Sequence, residues 1–242
     1  MDFIHALFEA KLSIGDQQLL WREIIGNVFG LASALGGMRR KVWAWPVGIV
    51  GNVVLLTVFL SSWFAPTGRP DMLGQAGRQV MFIAVSVYGW QRWRETRKRA
   101  ADVRADGKVP AAGGEAVHPH WASWKQRLLL VVAMAGGTLA LTPLFNALGS
   151  FPPVWADAWI FTGSVLATYG MARGWVEFWL IWVAVDIVGV PLLLSAGYYA
   201  TAAMYMFYGV FTIVGFFVWW RINRREQADA AAGGLQPAGS AS

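Results

Sequence analysis

The sequence predicts an all-α integral membrane protein whose seven transmembrane helices form a parallel 3+1+3 repeat. Three observations carry this expectation: recurrent apolar runs near 20 residues, a shortage of charge, and polar and aromatic positions that recur between the two halves. Of 242 residues, 56% are hydrophobic and 14% charged, with a mean hydropathy of +0.44. A soluble domain carries about 25% charge, and about 20 apolar residues suffice for a helix to cross the hydrocarbon core.

The runs place spans at 19–38, 45–63, 76–93, 126–147, 154–172, 177–195 and 199–220. Residues 1–12 read as a short amphipathic surface helix, 95–122 as a polar loop, and 227–242 as a tail too poor in apolar side chains to order. The chain then divides into an external segment (1–18), a first three-helix repeat (19–93) and a basic cytoplasmic loop (94–125). A linker helix (126–147), a second repeat (154–220) and a disordered cytoplasmic tail (221–242) follow. No removable signal peptide is expected.

An odd number of spans puts the termini on opposite faces. Arg39 to Lys41, the nine basic residues from Arg92 to Arg127, Arg173, and Arg221, Arg224 and Arg225 share one face, making 16 of the 20 Lys and Arg. The positive-inside rule makes that face cytoplasmic, with the N-terminus outside and the C-terminus inside. The net charge of +6 is thus a topology signal, and no nucleic-acid partner is expected.

The repeat appears at an offset of 134, which lays Leu31-Ala-Ser-Ala-Leu-Gly over Val165-Leu-Ala-Thr-Tyr-Gly, Arg39 over Arg173, Trp45 over Trp179 and Asn52 over Asp186. At an offset of 126, Gln75, Gln79, Phe82, Ser86, Gly89 and Trp93 lie over Thr201, Tyr205, Tyr208, Thr212, Gly215 and Trp219. Two like-oriented halves need an odd linker span, and carriers built this way bind substrate near the midplane between repeats.

A carboxylate, Asp186, stands halfway through an apolar run, and an ionisable group at that depth is a functional candidate. Trp179, Trp182 and Asp186 fall at i, i+3 and i+7 on one helical face, which suits a polar, ring-bearing small molecule. Gln75, Gln79 and Ser86 on the third span, and Thr201, Tyr205, Tyr208 and Thr212 on the seventh, give each of those helices one polar-aromatic stripe. Asn52 adds a polar group at the depth of Asp186. These eleven residues are the candidate substrate contacts. Trp90, Trp93, Trp219 and Trp220, beside Arg clusters, read as an interfacial aromatic belt. Glu177 reads as a first-turn acid favoured by the helix dipole, and Gly26, Gly30, Gly48, Gly51, Gly89 and Gly215 as close-packing positions.

Gly26-x3-Gly30 with Trp45-Pro46-x-Gly48, Tyr88-Gly89-Trp90-x2-Trp93, Glu177-x-Trp179-x2-Trp182-x3-Asp186, and Gly215-x3-Trp219 together span residues 20 to 220. In this order they resemble the PnuC family of nicotinamide riboside transporters, distant relatives of the SWEET sugar transporters. The resemblance implies uptake of nicotinamide riboside, an NAD precursor, by facilitated diffusion across a bacterial-type plasma membrane, with a cytoplasmic kinase retaining the product. It also implies that Trp179 and Trp182 hold the ligand with a third-helix glutamine, best matched by Gln79. Asp186 replaces the family's usual Asn. A carboxylate only accepts hydrogen bonds, so it suits either the cationic pyridinium or a different vitamin such as thiamine or riboflavin.

Other classes fare worse. No Lys follows Lys125, which removes a retinal Schiff base from the last helix, and a ligand receptor would lack an output domain. The chain has no Cys, no His in a span and no paired carboxylates, so neither an enzyme nor a metal site is expected, and no cofactor. Self-association into a homo-oligomer is left open.

Overall fold

The structure is a computed structural model that describes residues 11–14, 17–60, 73–105, 117–150, 152–195 and 199–233. It holds an antiparallel hairpin, β1 Lys11–Ile14 and β2 Gln17–Leu20, followed by seven helices. These are α1 Trp21–Met38, α2 Ala44–Phe59, α3 Leu73–Ala105, α4 Trp124–Ala147, α5 Val154–Arg173, α6 Glu177–Ser195 and α7 Tyr199–Gly233.

Each expected span has its helix, and the differences lie at the ends. The hairpin replaces the end of the expected surface helix and delays α1 to Trp21; residues 1–10 lie outside the described residues. Helix α3 runs on to Ala105 through residues read as loop, and α7 to Gly233 through residues read as tail. Both extensions are rich in Arg, Ala, Glu and Gln, good helix formers that need no apolar face to propagate an existing helix. The remainder of the tail, 234–242, lies outside the described residues.

Packing follows chain order within each half: α1 on α2 and α2 on α3, then α5 on α6 and α6 on α7. The halves meet where α3 packs on α5 and where α1 approaches α7, while α4 lies against α5. Helix α4 begins with a capping box in which Ser123 and Gln126 satisfy each other's backbone N–H. Its Leu128, Leu129, Val131, Val132 and Leu139 are all more than half exposed. A contiguous apolar face of that kind suits hydrocarbon rather than water. Among the described residues, Trp124–Ala147 and Tyr205–Asp229 are long and apolar enough to cross a membrane.

The core gathers at the basic end, where Trp45, Trp93, Phe178, Trp179 and Trp219 interlock. Trp93 and Trp219 are fully buried, which corrects their reading as interfacial belt residues. Their indoles hold the halves together reciprocally. Trp93 Nε1 on α3 donates to Ala172 O at the end of α5 (3.2 Å), and Trp219 Nε1 on α7 donates to Met38 O at the end of α1 (3.0 Å). Glycines admit the rings: a methyl on Gly89 would meet Trp45, and one on Gly215 would overlap Trp179. Gly26 and Gly51 lie similarly close to the partner helix; the backbone N of Gly30 lies against Gly51, while the direction of a Gly30 side chain is open.

Across these helix ends runs a strap, residues 117–123. Val117, Pro119 and Ala122 are buried. Arg40 donates to Val117 O (3.4 Å) and pairs with Glu226 (2.9 Å), and Asn223 Nδ2 donates to Pro119 O (2.7 Å). His120 N–H donates to Gly174 O and Val176 N–H to His120 O. Gly174 closes α5 at φ +80, and a side chain there would strike Val117. Arg40 occupies the matching turn after α1 at φ +55, a strained conformation for a side-chain-bearing residue that its contacts with Glu226 and Val117 offset. Glu177 anchors the far end of the strap by accepting from Ala122 N–H (3.0 Å) and from Arg127 Nε (2.7 Å). It therefore ties three segments together, beyond complementing the start of its own helix.

Two outcomes follow for purified protein. Gly89→Leu drives a branched side chain into Trp45 and should destabilise by about 1–3 kcal/mol, read as a lowered thermal midpoint, while Gly30→Ala, with open space for its methyl, raises the midpoint slightly through helix propensity. Glu177→Ala leaves Ala122 N–H and the Arg127 guanidinium without their acceptor and should cost about 1–3 kcal/mol, with the loss visible as faster proteolysis in the strap.

Candidate functional site

Away from the aromatic core, α3, α6 and α7 converge through side chains. Phe82 on α3 faces Trp182 on α6, with ring centroids 6.3 Å apart and planes tilted by 32°. One turn from Phe82, Arg78 holds its guanidinium 6.0 Å from that ring and donates to Tyr205 Oη on α7 (3.1 Å). The Tyr205 ring lies against Gly189 of α6. Asp186 points its Oδ2 at the backbone of Gly209 on α7. Two aromatic rings, a phenol, a cation and a carboxylate thus border one region between three helices.

That region is short of hydrogen-bond partners. Gln79 is buried, and its Oε1 has none; Asp186 Oδ2 and Arg78 Nε are buried and equally unpartnered. Buried polar atoms in native proteins are nearly always paired, so three orphans on facing helices mark a place where a polar ligand or water completes the set. Arg78 has no ion pair among the described residues.

The remaining candidates divide. Ser86 is buried one turn beyond Phe82 on α3, and Tyr208 is half-buried on α7 with its ring edge-on to Phe207. Thr212 spends its hydroxyl on Gly209 O of its own helix (2.8 Å). Asn52 is half-buried on α2, and no hydrogen bond joins it to the group above among the described residues. The side chains of Gln75 and Thr201 lie outside the described residues. Trp179 differs from the expectation that both indoles share one hollow. It is buried in the aromatic core, 4.3 Å from Phe178 between ring centroids and edge-on to Trp219, with Trp182 packed against that cluster from the other side. Its Nε1 lacks a partner, as does that of Trp45.

Arg78 is the residue that sequence reasoning passed over. It is one of the four basic residues outside the cluster of 16, and its position next to Gln79 and four residues before Phe82 is a readable signal. A cation inside an apolar helix needs a reason as much as an acid does.

The chain matches the model of the nicotinamide mononucleotide transporter family over residues 20–221. It is 36% identical over 219 residues to the riboflavin/roseoflavin transporter RibM of Streptomyces davaonensis, covering 90% of this chain and 93% of that protein. It is 25% identical over 256 residues to the nicotinamide riboside transporter PnuC of Escherichia coli, covering 96% and 99%. Among solved structures it resembles the crystal structure of the vitamin B3 transporter PnuC, with a TM-score of 0.61 at 21% identity over 85% of this chain and 83% of that one. With seven helices and a family match over most of its length, the chain belongs to the nicotinamide mononucleotide transporter family, a family of membrane transporters and not of enzymes.

Proposed function

We propose that this protein carries a planar heteroaromatic vitamin across a bacterial plasma membrane by uncoupled, facilitated diffusion, and that the vitamin is riboflavin. The observation that carries the choice is Arg78. A guanidinium beside the Phe82–Trp182 slot repels a cationic pyridinium but suits the neutral flavin ring, whose pyrimidine edge offers carbonyl acceptors. Gln79 presents an amide to the same edge, the rings of Phe82 and Trp182 stack on the flavin, and Asp186 accepts from hydroxyls of the ribityl chain. The 36% identity to a riboflavin/roseoflavin transporter supports this over the 25% identity to a nicotinamide riboside transporter.

A second reading, nicotinamide riboside, draws on one feature. The unpartnered carboxylate of Asp186 would attract the pyridinium charge, and cation–π stacking on Trp182 would add about 1–2 kcal/mol.

The two halves are read as a parallel repeat rocking about the site, with the basic end cytoplasmic and the N-terminus outside. Paired contacts support it: Trp45 with Gly89 and Trp93 in one half stand as Trp179 with Gly215 and Trp219 in the other. Retention of the vitamin inside would fall to a separate cytoplasmic kinase.

Flavin fluorescence titration of purified protein, with proteoliposome uptake, tests the substrate. Riboflavin should bind with quenched emission, and nicotinamide riboside should fail to displace it; no quenching by riboflavin, with uptake of labelled nicotinamide riboside in proteoliposomes, would transfer the assignment to the second reading. Trp182→Ala should cost about 2 kcal/mol or more, roughly thirtyfold in affinity, at unchanged expression. Arg78→Gln should lower riboflavin affinity about tenfold without weakening nicotinamide riboside. Asp186→Asn should preserve riboflavin binding, because an amide still accepts from a hydroxyl; under the pyridinium reading the same variant weakens binding by removing the charge.

A further inference from the structure

The bond from Trp93 Nε1 to Ala172 O has a neighbour effect at the basic end. It draws Arg92, just before Trp93 on α3, and Arg173, just after Ala172 on α5, to the rim of one cleft of about 210 Å³. Thr96 of α3 and His118 and His120 of the strap complete the polar wall. Two arginines and two histidines therefore line a space with room for a small oxyanion.

The nearest acid does not neutralise it. Glu226 already binds Arg40 at 2.9 Å and His118 at 3.1 Å. Neither Arg92 nor Arg173 has an ion pair among the described residues, and Arg173 Nε is buried without a hydrogen-bond partner while its guanidinium lies 5.4 Å from the Trp175 ring. His120 has its Nδ1 against His118 O (3.1 Å), which leaves Nε2 available. Basic side chains at a membrane surface ordinarily fan into the headgroup layer. These converge on a hollow between the two halves of the chain.

We propose that this cleft is a binding site for a phosphate group, held between Arg92 of the first half and Arg173 of the second. Guanidinium forks match phosphate oxygens in bidentate geometry, and such an anion removes the repulsion between two unpaired cations. Because it links α3 to α5 beside the Trp93–Ala172 bond, a bound phosphate clamps the basic end shut. On the transport reading above, this slows the carrier from the cytoplasmic side. The group can arrive on a soluble phosphate monoester or on an anionic lipid.

The test is direct binding, which does not depend on transport. Protein in phosphatidylcholine nanodiscs is titrated with inorganic phosphate by calorimetry, and its thermal midpoint is compared with that in phosphatidylglycerol nanodiscs. Arg92→Gln and Arg173→Gln should each weaken phosphate binding about tenfold, Arg173→Lys should retain most of it, and Arg221→Gln, outside the cleft on the same face, should leave it unchanged. Phosphate binding that depends on both arginines, without a lipid effect, identifies a soluble ligand. A phosphatidylglycerol-induced rise in midpoint, lost in Arg173→Gln, identifies a headgroup. If neither probe distinguishes the wild type from the two Gln variants, the site does not exist. Loss of riboflavin uptake with phosphate binding intact would overturn only the transport reading.

Discussion

Two indole N–H groups carry the architecture. Trp93 and Trp219 each sit in the aromatic core of one end and each donate to the last carbonyls of a helix in the opposite half. Helix C-termini leave carbonyls without intrahelical donors, and a buried carbonyl left unpaired is costly. Supplying those donors from the other half makes opening at this end costly, because separation leaves two carbonyls and two indoles without these partners. The strap adds to the same closure, with Arg40 and Asn223 holding its backbone from either side.

Away from that end, α3, α6 and α7 approach one another through side chains. Phe82 and Trp182 meet there, and Arg78 is linked to Tyr205. The second link is a single hydrogen bond between side chains, whereas the basic end is held by fully buried rings and several backbone bonds. A carrier that must open on one side and then the other needs such an imbalance, because the weaker tie yields first.

The sequence revealed the seven spans because hydrocarbon imposes length and apolarity on every crossing helix. It also singled out Asp186, Trp182 and Gln79 as candidates, because polar or amphipathic groups at that depth need partners. Trp179 was harder. Its spacing from Trp182 was right, but helical spacing does not distinguish a lumen from a core, and only the approach of Gly215 decides that its ring is packed away. The strap was illegible for a related reason: its backbone partners, Gly174, Arg40 and Asn223, come from three distant stretches with no shared pattern. The long extensions of α3 and α7 were missed because hydropathy marks where a helix leaves the membrane and not where it stops.

The paired frame also explains why the site need not be symmetric. The position matching Trp182 in the first half is Gly48, where a methyl would strike the hydroxyl of Ser33, itself bonded to Ala44 O (2.7 Å). The position matching Asp186 is Asn52. One half therefore closes its helices tightly where the other projects an indole and an acid, so matching positions of the two halves pack differently. A vitamin with a flat ring at one end and a hydroxylated chain at the other has no two-fold symmetry of its own. On the proposed transport reading, the unequal residues at 48 and 182 and at 52 and 186 would supply the polarity that such a ligand requires.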